Sequence, residues 1–369
     1  SKSTELETLN MSNNNIADLG MENISNVLSK MKTLHTLSLS TNKINGECME
    51  TLSKTLPEMK SLRVFRLDTN KIDDQHITNL TKVLPEMKAL EKLDMLGNAF
   101  GEDGKKALEP FFCLILPCIK EKLHWKSDNT GEWDISGQQL NDSDMLLIEP
   151  LLKKSTELKK LNLSNNQIGD KGMKTLNRVL RGMNALHNLD LSDNEFGPGG
   201  INDISKVIQH LKTLKTFNMG KTPKEKTAKW HWESNLESWD MAGKSLTDND
   251  MLLVVALLPK MKALKKLSLD NNKIGPQGMI TLSRLLARMK ALEELKLSHN
   301  SIGNKGAIAL FRALRRMNAL HTLCLNSNKI NEQGIINLSK VLPKMKTLTK
   351  LNVRGKMIQR ESGKSFGIL

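Results

Sequence analysis

The chain lacks the features of a membrane protein and of a disulfide-stapled secreted protein. No apolar run reaches the length of a membrane span; the stretch at residues 111–117 is too short and indicates a buried turn of helix. The cysteines are few and unclustered: Cys48, Cys113, Cys118 and Cys324. Scattered cysteines indicate reduced thiols in an intracellular protein, so we expect a cytoplasmic location.

Residue patterns that would support catalysis are also missing. No GxxxxGKS or GxxxxGKT loop is present to cradle phosphates. Cys113 and Cys118 lie in an apolar stretch without a neighbouring histidine or other base, and no histidines and cysteines occur at zinc-ligand spacing. We therefore predict that the protein is not an enzyme and holds no cofactor and no metal.

What the chain contains instead is a repeat of 28 residues. The pattern LxxLxLxxNxI begins at Leu6 and returns, with degenerate copies, to give about thirteen repeats over residues 1–369. A fixed period of this length predicts a solenoid, in which each repeat buries its core against its neighbours. Two joints, near residues 113–133 and 220–239, interrupt the period and should be irregular.

One repeat shows why the pattern folds as it does. Leu161 and Leu163 alternate with polar residues, which predicts a short strand with one buried face. Leu176 and Leu180 then belong to an amphipathic helix that starts near Gly172. An asparagine follows each strand and should form a buried ladder: Asn14, Asn42, Asn70, Asn98, Asn166, Asn194, Asn272, Asn300 and Asn328. The predicted fold is an α/β horseshoe, with a parallel sheet on the concave face and helices on the convex face.

The motif with its full helix resembles the ribonuclease-inhibitor type of leucine-rich repeat. It is most similar in style to the C-terminal arm of NOD-like (NACHT-containing) receptors. That resemblance implies a ligand-sensing or protein-binding arm of an intracellular innate-immune receptor. The alternative is an inhibitor or regulator of a cytosolic enzyme, ribonuclease-inhibitor-like or a GTPase-activating scaffold, because the same arch serves several functions.

The start of the chain favours a fragment. Ser3-Thr-Glu-Leu6 aligns with Ser155-Thr-Glu-Leu158, which places the first residues inside a connection between repeats. The first residue is not methionine, so we expect further residues upstream. The polar C-terminal tail is either a cap or a truncation.

The concave face is predicted to bind a protein ligand. Its central column carries acids in the middle and bases toward the ends: Arg66, Asp94, Asp134, Asp190, Asp240 and Lys296. An acidic centre suits a basic or mixed-charge protein better than nucleic acid. The alternative is that these small polar residues only keep the sheet soluble.

The joints supply a second candidate surface. Four residues there could anchor a partner, because aromatic and basic residues are enriched in binding hot spots: Trp125, Lys229, Trp230 and Trp232. We expect the loop at residues 220–235 to project from the fold. Alternatively, these tryptophans pack over the end of a broken repeat.

The formal charge of +15 raises the question of nucleic acid. One dense cluster lies on consecutive helices near the C-terminus: Arg284, Arg288, Arg312, Arg315 and Arg316. It could hold phosphates or an acidic partner. A solvated helix face is the alternative, so nucleic acid is not the favoured partner.

Overall fold

The computed structural model describes residues 5–124, 131–220 and 230–354 of the chain. It divides into two compact units, Ser1–Gly200 and Ile201–Leu369. Strands of three or four residues alternate with helices in both units. This alternation confirms the predicted α/β solenoid class, whereas a single domain over residues 1–369 stays a prediction.

The described part of the first unit contains two rows of parallel strands. The first row consists of β1 (Thr8–Asn10), β2 (Thr36–Ser38), β3 (Val64–Arg66) and β4 (Lys92–Asp94). The second consists of β5 (Glu132–Asp134), β6 (Lys160–Asn162) and β7 (Asn188–Asp190). Paired residues are 28 apart, as Thr8 and Thr36 are, so the repeat period sets the strand register.

Helices return the chain between these strands. They are α1 (Asp18–Leu28), α2 (Gly46–Thr55), α3 (Asp74–Val83), α4 (Glu102–Leu108), α5 (Phe112–Lys122), α6 (Asp142–Lys154) and α7 (Asp170–Leu180). Helix α8 (Pro198–Ile208) contains the boundary between the units. Helix α5 is the irregular element at the first joint, and it packs against β4.

The described part of the second unit begins with an antiparallel pair, β8 (Thr216–Met219) and β9 (Trp230–Glu233). A parallel row follows: β10 (Ser238–Asp240), β11 (Lys266–Ser268), β12 (Glu294–Lys296), β13 (Thr322–Cys324) and β14 (Lys350–Asn352). Its helices are α9 (Asp250–Leu257), α10 (Pro276–Leu286), α11 (Gly303–Leu314) and α12 (Glu332–Ser339).

Asparagine side chains tie consecutive repeats together. The amide nitrogen of Asn70 donates to the carbonyls of Leu39, in the preceding repeat, and Leu67, each at 3.0 Å. Its oxygen accepts from the backbone N–H groups of Asn42 and Ile44 at 3.1 and 3.2 Å. Donation to the preceding repeat recurs at Asn42, Asn98, Asn166, Asn194, Asn272, Asn300 and Asn328. The first copy, Asn14, is exposed and bonds only to carbonyls of its own repeat.

Candidate binding surfaces on the strand rows

Each strand buries its middle residue and presents the residues on either side. In β6, Leu161 is buried while Lys160 is exposed and Asn162 is half-buried. Neighbouring strands lie about 4.8 Å apart, so equivalent residues form columns across a row. The outward side of each row is therefore a regular array of polar groups.

On the second row of the first unit, the outward column is Asp134, Asn162 and Asp190. We call the outward side of this row the β5–β7 face. Asp134 Oδ1 accepts from the backbone N–H of Ser136 at 3.0 Å, and Asp190 Oδ1 accepts from that of Ser192 at 2.9 Å. These bonds fix the direction of each carboxylate where the strand ends.

The pKa of Asp134 follows from those contacts. Partial burial acts to raise it, but hydrogen bonds from Ser136 and Asn162 prevail and hold the pKa below its ordinary value. Asp134 is exposed, and no ion pair neutralises it among the residues that the structure describes. The β5–β7 face therefore presents an oriented negative charge.

The same turn is made without a charge elsewhere in the column. Asn162 accepts from the N–H of Ser164 at 3.0 Å, in the same way that Asp240 in β10 accepts from Ala242. The turn thus explains why a short polar acceptor occupies this position. It does not require a negative charge, so the carboxylates need a separate explanation.

Asp94 does not belong to the open surface, and the expectation that it does is wrong. Its side chain is only 2% exposed, because Lys122 at the end of α5 covers it. The Lys122 ammonium lies 2.7 Å from carboxylate oxygens of both Asp94 and Asp68. Burial raises the pKa of Asp94, and attraction to the two carboxylates raises that of Lys122. Helix α5 thus seals the end of the first strand row.

The remaining predicted column residues differ in their surroundings. Arg66 on β3 is exposed. Lys296 on β12 is half-buried, and its ammonium lies 2.8 Å from a carboxylate oxygen of Glu294 in the same strand. The face of the second unit is therefore of mixed charge, with Asp240 exposed at its first parallel strand.

The joint residues do not form the surface that the sequence predicts. Trp232 is fully buried, because β9 folds back antiparallel on β8 and pairs Trp232 with Phe217. An exposed anchor at Trp232, in a projecting loop, is therefore wrong. Trp125 and Lys229 lie outside the described residues, as does the side chain of Trp230.

Two further properties concern only residues 5–124, 131–220 and 230–354. No helix there is long and apolar enough to span a membrane. No group of three or more histidine, cysteine, aspartate or glutamate side chains is arranged to hold a metal ion.

Comparison with known proteins supports the fold. The Leucine Rich repeat family matches residues 2–25, 154–176, 261–283 and 290–311. With the strand and helix repeat, these matches define the chain as a leucine-rich repeat domain. Extended arrays of this kind generally present binding surfaces to other proteins.

The other comparisons add little. No curated protein matches the chain. The crystal structure of an internalin (inlF) from Listeria monocytogenes is similar over 96% of this chain and 88% of that one, with 16% identity and a TM-score of 0.28. A likeness this distant carries no argument about function.

Proposed function

We propose that this leucine-rich repeat domain binds a protein partner through the outward faces of its strand rows. The observation that carries the proposal is the oriented carboxylates of Asp134 and Asp190 on the β5–β7 face. Their turn would form equally well with asparagine, so the charge is available for a partner. A standard protein interface buries about 1,600 Å² in total, and the strand row offers a continuous polar surface for one.

The charge on this face defines the kind of partner. Complementary potentials steer association and exclude wrong partners, so a basic or mixed-charge protein surface is expected here. Arg66, Asp240 and Lys296 extend the proposed surface to the other strand rows. Asp94 is left out because Lys122 already neutralises it.

For the biological role, we propose the sensing arm of an intracellular NOD-like receptor, which rests on the resemblance of the repeat motif. Four free cysteines, two of them buried, suit a reducing cytoplasm. The alternative is a regulator of a cytosolic enzyme. An enzyme or GTPase that is captured by the domain, and whose activity changes on binding, would favour that alternative.

The test separates the charge from the turn. We would immobilise the domain and compare capture from cytosolic extract by the wild type and by a double variant, Asp134→Asn and Asp190→Asn. Because asparagine keeps the turn, the variant should fold normally and lose the partner. A control with the same change in charge on the helix side, Glu22→Gln and Glu47→Gln, should retain it.

Capture must then be confirmed with the purified partner. We expect the Asn variant to weaken its binding at least about tenfold, equivalent to about 1.4 kcal/mol. Equal affinity of the wild type and this variant would rule out the β5–β7 face. Equal loss in the control would show that only net charge matters.

A further inference from the structure

The helices of the second unit carry a regular array of cations on their exposed side. Positions 12 and 16 residues after the ladder asparagine are basic in three consecutive repeats. All six side chains are exposed, and we call them the basic grid: Arg284, Arg288, Arg312, Arg316, Lys340 and Lys344. Helix α10 packs against α11, and α11 against α12, so the grid is one continuous surface.

The dimensions of the grid follow from helix geometry. Residues four apart, such as Arg284 and Arg288, are one turn apart, or about 6 Å along the axis. Packed helices lie about 10 Å apart, so three helices carry two parallel rows of cations about 20 Å long. Such rows match a rod-shaped polyanion that lies across the helices.

The same positions in the first unit show that the fold does not require cations there. The residue 16 after the ladder asparagine is Glu58 in one repeat and Glu86 in the next. Lys32 donates to the backbone carbonyl of Glu58 at 3.4 Å, and its ammonium lies 3.9 Å from the Glu58 carboxylate. The glutamate thus balances the lysine beside it.

In the second unit, the equivalent contact joins two cations. Lys290 donates to the backbone carbonyl of Arg316 at 3.0 Å, which is the bond that Lys32 makes to Glu58. The neutralising glutamate is replaced by arginine, and α10 and α11 contain no acidic residue at all. A cation near a helix C-terminus is favourable, but this does not account for three columns of repelling charges.

We propose that the basic grid binds the phosphate backbone of double-stranded nucleic acid. Arginine presents a planar fork that pairs with phosphate, and four of the six grid residues are arginines. The grid length corresponds to about six base pairs at roughly 3.4 Å each. Binding would be independent of base sequence, because a flat row of cations reaches phosphates and not base edges.

Two observations favour a duplex over other polyanions. Phe311 is the one aromatic residue of α10, α11 and α12, and it is buried, so no ring is available to stack unpaired bases. On α10 and α11 no large apolar side chain is exposed for insertion into a membrane. This surface is separate from the β5–β7 face, so either proposal can fail without the other.

The test measures binding of a labelled duplex of about 20 base pairs by fluorescence anisotropy at several salt concentrations. The decisive variant is Arg288→Glu with Arg316→Glu, because glutamate occupies this register naturally at Glu58 and Glu86. The control has the same charge change at exposed lysines of the first unit, Lys60→Glu with Lys88→Glu. Thermal unfolding verifies that all three proteins fold.

We expect the Arg288→Glu, Arg316→Glu variant to bind at least about tenfold more weakly, with a log–log salt slope shallower by about 2, while the control stays within about twofold. An equal loss in the control would overturn the proposal in favour of net charge. Tighter binding to a single strand of the same length would overturn the duplex geometry. Vesicles of phosphatidylcholine and phosphatidylserine form the last arm, because Ile336 and Leu342 beside the lysine column are exposed. Vesicle binding that depends on the grid, without duplex binding, would assign the surface to membranes instead.

Discussion

The carboxylate of Glu149 in α6 lies 2.6 Å from the ammonium of Lys105 in α4, although 44 residues separate them. Lys153 and Arg178 also bond to Glu149, at 2.9 and 3.3 Å, and its side chain is only 2% exposed. Arg178 reaches on to Glu102 at 2.8 Å. One buried carboxylate thus joins α4, α6 and α7 around the inserted α5, which is how the first unit stays continuous across its joint.

Replacing Glu149 should therefore destabilise the first unit. In the Glu149→Gln variant, the half of the cluster that holds Lys105 loses its counter-ion, and Lys105 is itself largely buried. We expect a loss of about 3 kcal/mol in the free energy of unfolding. Urea denaturation measures it, and the exposed pair of Glu50 and Lys54 provides a control in Glu50→Gln, which should cost less than about 0.5 kcal/mol.

The same residue predicts a dependence on pH. Burial acts to raise the pKa of Glu149, but Lys105, Lys153 and Arg178 prevail and lower it to about 2. A lowered pKa means that the stabilisation is fully present above the unfolded value of about 4.3 and is lost as the pH falls toward 2. The wild type should lose its advantage over Glu149→Gln across that window. A constant difference between the two proteins from pH about 7 to about 2.5 would contradict this.

The asparagine ladder gives a second prediction with an internal control. Asn166 donates to the carbonyl of Ile135 and accepts from the N–H groups of Gln138 and Leu140, each at 3.0 Å. Asn166→Ala leaves these buried groups without partners and should cost about 3 kcal/mol. Asn14→Ala, at the exposed first position of the ladder, should cost less than about 1 kcal/mol. Similar losses at both positions would show that burial does not set the contribution of the ladder.

The repeat pattern foresees strands, helices and asparagine positions because each repeat contacts mainly its neighbours. A residue such as Leu161 or Asn166 therefore meets the same surroundings in every copy, and periodicity is enough to place it. The turn at Asp134 was missed, although its signal was present. Aspartate, asparagine or serine recurs at the third strand position, where a short acceptor can bond the N–H two residues on.

A second missed signal lies four residues after the ladder position, where aspartate recurs as Asp74, Asp142, Asp170 and Asp248. Asp142 Oδ1 accepts from the backbone N–H groups of Gly169 and Gly172, at 2.7 and 2.8 Å, in the next repeat. A side chain at Gly172 would meet that oxygen at 2.6 Å and Ile168 at 2.7 Å. This explains the recurring glycine, whose crowding alone could be predicted.

Substitution of this glycine provides the third prediction. Gly172→Ala should destabilise the protein by about 2 kcal/mol, since Asp142 must move and lose its bonds to the α7 N-terminus. Gly20→Ala in α1 is the control: its added carbon would meet only Ile16, at 3.5 Å, so it should stabilise the helix by up to about 1 kcal/mol. Thermal unfolding of both variants measures the difference. A stabilising Gly172→Ala would show that the close approach is easily relieved.

What the sequence could not reveal lies at the joints, where the period fails. Lys122 meets Asp68 across 54 residues, and Trp232 is buried through an antiparallel pairing that no other repeat uses. Neither contact repeats, so no pattern announces it. Asp94 was misjudged for this reason: its column position predicts exposure, but a helix occupies the space beside it.

Sealing of the first strand row by Lys122 can be followed through Cys118 on the same helix. The Cys118 thiol is buried, and burial together with the charge of Asp94 raises its pKa to about 11. Cys113, also on α5, is exposed and should react with iodoacetamide first at pH about 8, because the buried thiol is neither accessible nor ionised. In Lys122→Ala, Asp68 and Asp94 repel without a counter-ion, so α5 should open more often. Mass spectrometry of the labelled protein should then show Cys118 reacting about tenfold faster while Cys113 is unchanged, which corresponds to about 1.4 kcal/mol of local stability. An unchanged Cys118 rate would mean that apolar packing, and not the lysine, holds α5 against β4.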